Sequence, residues 1–129
     1  MTPDTLSIPI NRRIDLWRYS ISHRQLLLMA PADASNPARL WIYLKGVEHI
    51  DIPTSIDCAS VVSDDAKAPF TRDGEMWRAA RQLEPGEVNA TLFPLALQSK
   101  GARHSLTAVV AIIGEDGEAY DAPIPVGLF

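Results

Sequence analysis

At 129 residues the chain fits a single domain spanning 1–129, a size at which about two-thirds of the unfolded surface is buried, enough for a core without staples. Hydrophobic residues at 47% and charged residues at 22% exclude a disordered chain, and a net charge of −4 argues against nucleic acid or an anionic membrane as partner. The lone cysteine, Cys58, excludes an intramolecular disulfide, and no apolar run reaches the ~18–20 residues of a membrane-spanning helix.

The N-terminus, MTPDTLSIPINRR, has no basic start followed by an apolar segment, so it does not read as a secretory signal. Together with the single cysteine this sets the expectation of a soluble, cytoplasmic protein. Residues 1–12 read as an extended N-terminal arm. Ten prolines and seven glycines then punctuate the chain at intervals that suit short strands.

Ile14–Ile21, IDLWRYSI, alternates with the strand period of two. Asp15, Trp17, Tyr19 and Ile21 share one face; Ile14, Leu16, Arg18 and Ser20 share the other. Ser22–Arg24 makes a polar turn into QLLLMA, whose continuous apolar run suits a strand covered on both sides. APADASNPA is a loop by composition. RLWIYLKGVEHIDI has the clearest alternation, with Leu40, Ile42 and Leu44 opposite Arg39, Trp41, Tyr43 and Lys45. Gly46 marks a bulge or bend in it, and Pro53 ends it. SIDCASVV is a further strand, and SDDAKAP a polar connection.

FTRDGEMWRAARQL admits two readings. Either Asp73 caps a short helix across 74–83, or Asp73–Gly74 is a hairpin turn and MWRAARQL a strand; the D-G signal tips the balance toward the strand. VNATLFPLAL is a strand that Pro94 either splits or places at an edge. SLTAVVAIIG, the most apolar segment, is expected at the centre of the sheet. A second D-G turn, Asp116–Gly117, leads into AYDAPIPVGLF, an edge strand or an extended tail. The expected fold is mainly β: an antiparallel sandwich or partly open barrel of about seven to nine short strands, with at most one or two short helical turns.

Among candidate sites, the neighbours Ser22 and His23 suggest a nucleophile and base. Adjacent strand residues project to opposite faces, however, and no GxSxG elbow surrounds any serine, so a turn with an exposed histidine is the better reading. His49 and Asp51 are spaced as two metal ligands on one strand face. His23 and His104 would have to join them, because a catalytic zinc or iron site needs three protein ligands. Cys58 follows Asp57, whose charge opposes a thiolate, and reads as a small core residue. No glycine-rich phosphate loop is present. Arg78 and Arg81, flanked by Asp73, Glu75 and Glu84, read as a salt-bridged surface.

The aromatic faces carry more. Trp17 and Tyr19 on one strand, and Trp41 and Tyr43 between Arg39 and Lys45 on another, would form a cross-strand ladder if those strands were neighbours. Trp, Tyr and Arg are also the residues that anchor protein interfaces; the alternative is a second buried layer. These readings lean away from an enzyme, with no catalytic residue and no cofactor. They lead to a β-domain that binds a protein partner or self-associates through Trp17, Tyr19, Arg39, Trp41, Tyr43 and Lys45. The rival is a small-molecule-binding or metal-assisted enzyme in a β-barrel, with ligands drawn from His23, His49, Asp51 and His104.

Overall fold

The fold, a computed structural model, describes residues 5–20, 24–50, 52–81, 85–86, 92–119, 122 and 124. Ten strands follow in chain order: β1 (Ser7–Ser20), β2 (Gln25–Ala30), β3 (Arg39–Lys45), β4 (His49–Ile50), β5 (Ser55–Ser63), β6 (Phe70–Asp73), β7 (Met76–Ala80), β8 (Phe93–Ser99), β9 (Ala102–Ala108) and β10 (Val110–Asp116). They number nine if the two-residue β4 is counted as the continuation of β3. No helix occurs among the described residues.

All pairings are antiparallel, in the order β4-β9-β8-β5-β1-β2-β3-β10-β7-β6. Both ends of that order turn back on the sheet. β4 continues β3 beyond Gly46, whose φ of 69° gives the bend the left-handed backbone that glycine adopts without strain. A Cβ at this position would also meet the Val109 side chain at 2.6 Å. At the other end Thr5, just ahead of β1, exchanges two backbone hydrogen bonds with Phe70 of β6, at 3.0 and 2.6 Å. The result is one sheet curled into a partly open barrel.

The alternation that produces this is plainest in β1. Ile8, Ile10, Arg12 and Ile14 are buried while Ser7, Pro9, Asn11 and Arg13 are exposed. Of the extended arm expected at 1–12, residues 7–12 are extended as part of β1 and run beside β5, because their apolar positions carry the strand period into the core. The inner cluster takes Ile8, Ile10, Ile14, Leu26, Leu28, Leu40, Ile42 and Leu44, with Ile56, Phe70, Phe93, Leu95, Leu97 and Leu106 among others. Each such side chain contributes about 1.5–3 kcal/mol over leaving it in water.

Leu27, Met29, Trp41 and Tyr43 face the other way and are buried as well, in a second cluster closed by Ile124. This double burial accounts for the unbroken apolar run of β2. The 73–83 ambiguity resolves to a hairpin as far as it is described. Asp73 pairs with Met76, Gly74 takes a φ of 63°, and β7 runs to Ala80. Glycine at the first central position is the signature of the type II′ turn.

One expectation is corrected. β8 is not an edge strand but lies between β5 and β9. Pro94 is tolerated because it is the second residue of β8, beyond the last β5 partner pair, Ser63 and Leu95. Most of the last segment, read as an edge strand or an extended tail, lies outside the described residues; the chain leaves β10 at Asp116 and bends at Gly117 and Glu118.

Candidate functional site

β1 is shared between two neighbours. It pairs with β5 from Ser7 to Asp15 and with β2 only from Asp15 onward. Its first half therefore faces β3, β10 and β7 across a gap, which the Thr5–Phe70 backbone bridge closes at one end. A cleft of about 540 Å³ opens there, at the mouth of the barrel. Its apolar wall comes from Ile8, Ile10, Leu40, Ile113 and Trp77, and its charged groups are Arg72, Glu75 and Glu115. Register explains the set, since Arg72 pairs with Trp77, Trp77 with Ile113, and Glu115 with Leu40, so each pair shares one face. The Arg72 guanidinium stands 5.0 Å from the Trp77 ring centre, an arrangement that holds the cation at the cleft. The volume and the apolar lining with a few polar groups are those of a ligand-binding cleft. None of the lining residues is a histidine or a cysteine, and no nucleophile-base pair forms in it.

The aromatic faces separate. Arg39, Trp41 and Tyr43 are buried, at 1%, 1% and 4% exposure, whereas Trp17 and Tyr19 are 44% and 38% exposed and Lys45 is exposed. No four-member ladder forms, because the β1–β2 register shifts between Leu16 and Arg18. That bulge at Trp17 reverses the face parity, so Arg18 comes into line with Leu27 and Tyr43, and Tyr19 with Leu26 and Leu44. Burial pushes the Tyr43 hydroxyl above its ordinary value.

Ile124 packs against Trp41, and Arg39 binds the backbone just ahead of it. Arg39, with no exposed side-chain surface, pairs through Nε and Nη2 with both carboxylate oxygens of Asp116, while its Nη1 donates to the carbonyls of Ala119 and Ala122. Ile124 then lies against Leu27, Met29, Trp41 and Tyr43. The Arg39 guanidinium, more than any other group, holds the Asp116 carboxyl below its ordinary range.

The proposed metal ligands are only partly placed. His23 and Asp51 lie outside the described residues. His49 occupies the register position opposite Thr107, and Thr107 and His104 stand on opposite faces of β9. Among the described residues no group of three or more His, Cys, Asp or Glu could hold a metal ion. Cys58 is buried, its thiol donates to the Ser60 carbonyl at 3.4 Å, and burial raises its pKa to about 11. Of the surface arginines, Arg81 pairs with Asp65 at 3.5 Å. Ser22, like His23, falls outside the described residues.

No protein-family model, curated protein or solved structure matches the chain. The cleft went unseen in the sequence because its walls come from five separated strands. Only the Arg72–Trp77 pair, set by the D-G hairpin, was within reach of a local reading.

Proposed function

We propose that the protein is a non-catalytic binding domain that receives a segment of a protein partner, a second copy of itself included, at the mouth of the barrel. The observation that carries this reading is the half-open cleft beside Trp77, with an apolar wall and charges of both signs. β6, one of the two edge strands of the sheet, runs along it. Among the described residues its Phe70 alone is bonded on the outer side, to Thr5, and the strand beyond is an edge to which an extended segment can add. Trp and Arg at the cleft are the side chains that dominate such contacts. The exposed Trp17, Tyr19 and Lys45 supply a second candidate surface for the same function.

The volume of the cleft also favours a small apolar ligand, which is the second reading. One experiment separates these. A photo-crosslinking residue replaces Glu75 in the full chain, and sedimentation velocity follows association over a range of concentrations. Crosslinks or self-association lost in Trp77→Ala but kept in Trp17→Ala support a partner at the cleft. Loss in Trp17→Ala alone moves the interface to the end of β1. A monomer without crosslinks, whose Trp77 emission is altered by an apolar probe, overturns the protein-binding reading in favour of the small molecule.

A further inference from the structure

At the mouth of the cleft beside Trp77 the strand period sets an apolar position next to a charged one. Trp77 and Ile113 are register partners, and the next inward positions toward the mouth are Glu75, just ahead of β7, and Glu115 on β10. Both carboxylates line the cleft and both are exposed. Continued by two residues, the β10–β7 register brings Glu115 level with Glu75, so two like charges share one rim. Among the described residues neither of them enters an ion pair. The guanidinium of the cleft, Arg72, is seated on the Trp77 ring at 5.0 Å. Two carboxylates and one guanidinium leave the lining with an excess of one negative charge.

Trp77 is half-buried and is the part of the apolar wall that the mouth exposes; Ile8, Ile10, Leu40 and Ile113 lie buried beneath it. Along β10 the step from Ile113 to Glu115 is two strand residues, about 6.6 Å. Neighbouring side chains on one face of any extended segment have the same spacing. A segment lying in the cleft therefore meets an apolar seat and an anionic rim one side-chain repeat apart.

We propose that the segment this cleft receives belongs to a different protein and carries, in an extended stretch, an apolar side chain and a lysine or arginine two positions apart. The proposal rests on the cleft being a protein-binding site and adds what the bound sequence must contain. The apolar residue packs on Trp77, and the cation sits by Glu75 and Glu115 and offsets their repulsion. A second copy of this chain fits less well, because it brings a net charge of −4 to a rim that is already anionic.

The test is fluorescence anisotropy with the full chain and blocked, dye-labelled peptides in which a lysine stands two positions before or after a leucine or phenylalanine. Matched sets replace the lysine by glutamine and by glutamate. A lysine peptide is expected to bind roughly fivefold more tightly than its glutamine match, the scale of two exposed ion pairs. That margin should shrink as salt is raised. The double variant Glu75→Gln/Glu115→Gln should erase the margin while leaving the glutamine peptide bound as before, and its Tm should stand at or above that of the parent chain. Trp77→Ala should weaken lysine and glutamine peptides alike. Asp57→Asn, at an exposed carboxylate outside the cleft, should change neither.

Equal binding of the lysine, glutamine and glutamate sets, lost in Trp77→Ala, overturns the basic requirement and leaves the cleft as a protein-binding site. Absence of binding by every set overturns both. A dimer in sedimentation velocity that Trp77→Ala abolishes assigns the cleft to a second copy and overturns the proposal. So does a lower Tm in the double glutamine variant, which would make the two carboxylates supports of the fold.

Discussion

Arg39 and Asp116, separated by 77 positions in the chain, join the first residue of β3 to the last of β10 through a two-pronged ion pair, Nε–Oδ1 2.6 Å and Nη2–Oδ2 3.1 Å. The same guanidinium holds two carbonyls of the C-terminal segment, Ala119 at 2.9 Å and Ala122 at 2.5 Å. One side chain thus ties the start of β3 to the end of β10 and to the carbonyls of Ala119 and Ala122. Arg39→Ala would leave the Asp116 charge and both carbonyls without their donor. Breaking a fully buried pair costs about 3–5 kcal/mol, and because the Asp116 side chain is 25% exposed the expected loss is about 3 kcal/mol. Urea unfolding measures it. A loss below about 1 kcal/mol would show that water replaces the clamp.

The same pair sets an acid limit on stability. Arg39, with help from the Glu118 backbone N–H, lowers the Asp116 pKa from its ordinary 3.8. A carboxyl whose folded pKa lies below its unfolded one stabilises the fold fully above the unfolded value, and loses that contribution as pH falls through the folded one. Unfolding free energy should therefore drop below about pH 4. Asp116→Asn, which cannot ionise, should show a shallower acid slope than the wild type. Identical slopes would remove Asp116 from the account.

Local features were legible in the sequence, and long-range ones were not. The Asp73–Gly74 hairpin and the two faces of β3 could be read because turn chemistry and a period of two act between near neighbours. Trp17 shows the limit of periodicity. A single bulge inverts every face assignment beyond it, and no glycine marks this one. Arg39 shows another, because its partners lie at 116–122 and nothing local to β3 separates a buried, clamped arginine from an interface arginine. The cleft at Trp77 depends on β1 leaving β2 for β5, a change of partner that is a property of the whole sheet.

Cys58 gives a probe of global opening. Burial moves its pKa from 9.0 to about 11, so at neutral pH the thiol is protonated as well as inaccessible. Disulfide reagents at pH 7.5 should modify the native chain only as fast as it unfolds, and modification should become rapid in denaturant. The raised folded pKa also means that its stabilising contribution is complete below about pH 9 and is lost as pH rises toward the folded value. Cys58→Ala should abolish that alkaline loss. Fast labelling of the native chain, with a rate unrelated to unfolding, would contradict the buried placement.

Gly114 and Trp41 approach each other closely at the second cluster. They are register partners on β10 and β3, and a Cβ added to Gly114 would stand 2.3 Å from Trp41 Cζ2 and 2.6 Å from Cη2. The ring fills the space that a side chain at 114 would need, so the glycine serves close packing here rather than an unusual dihedral. The ring is 1% exposed and packed against Leu27, Met29 and Ile124, so it cannot move outward without displacing Ile124. Gly114→Ala is expected to cost about 1–3 kcal/mol, the range for overpacking a filled core. Trp41→Phe removes the atoms in conflict, since the benzo ring of the indole is what meets the new Cβ. The double variant Gly114→Ala/Trp41→Phe should therefore be more stable than the sum of the two single losses, with a coupling of about 1 kcal/mol or more. Urea unfolding of the four proteins in the cycle measures this coupling. Strict additivity would mean that the alanine is accommodated by a backbone shift in β10, and that the ring is not what excludes a side chain at 114.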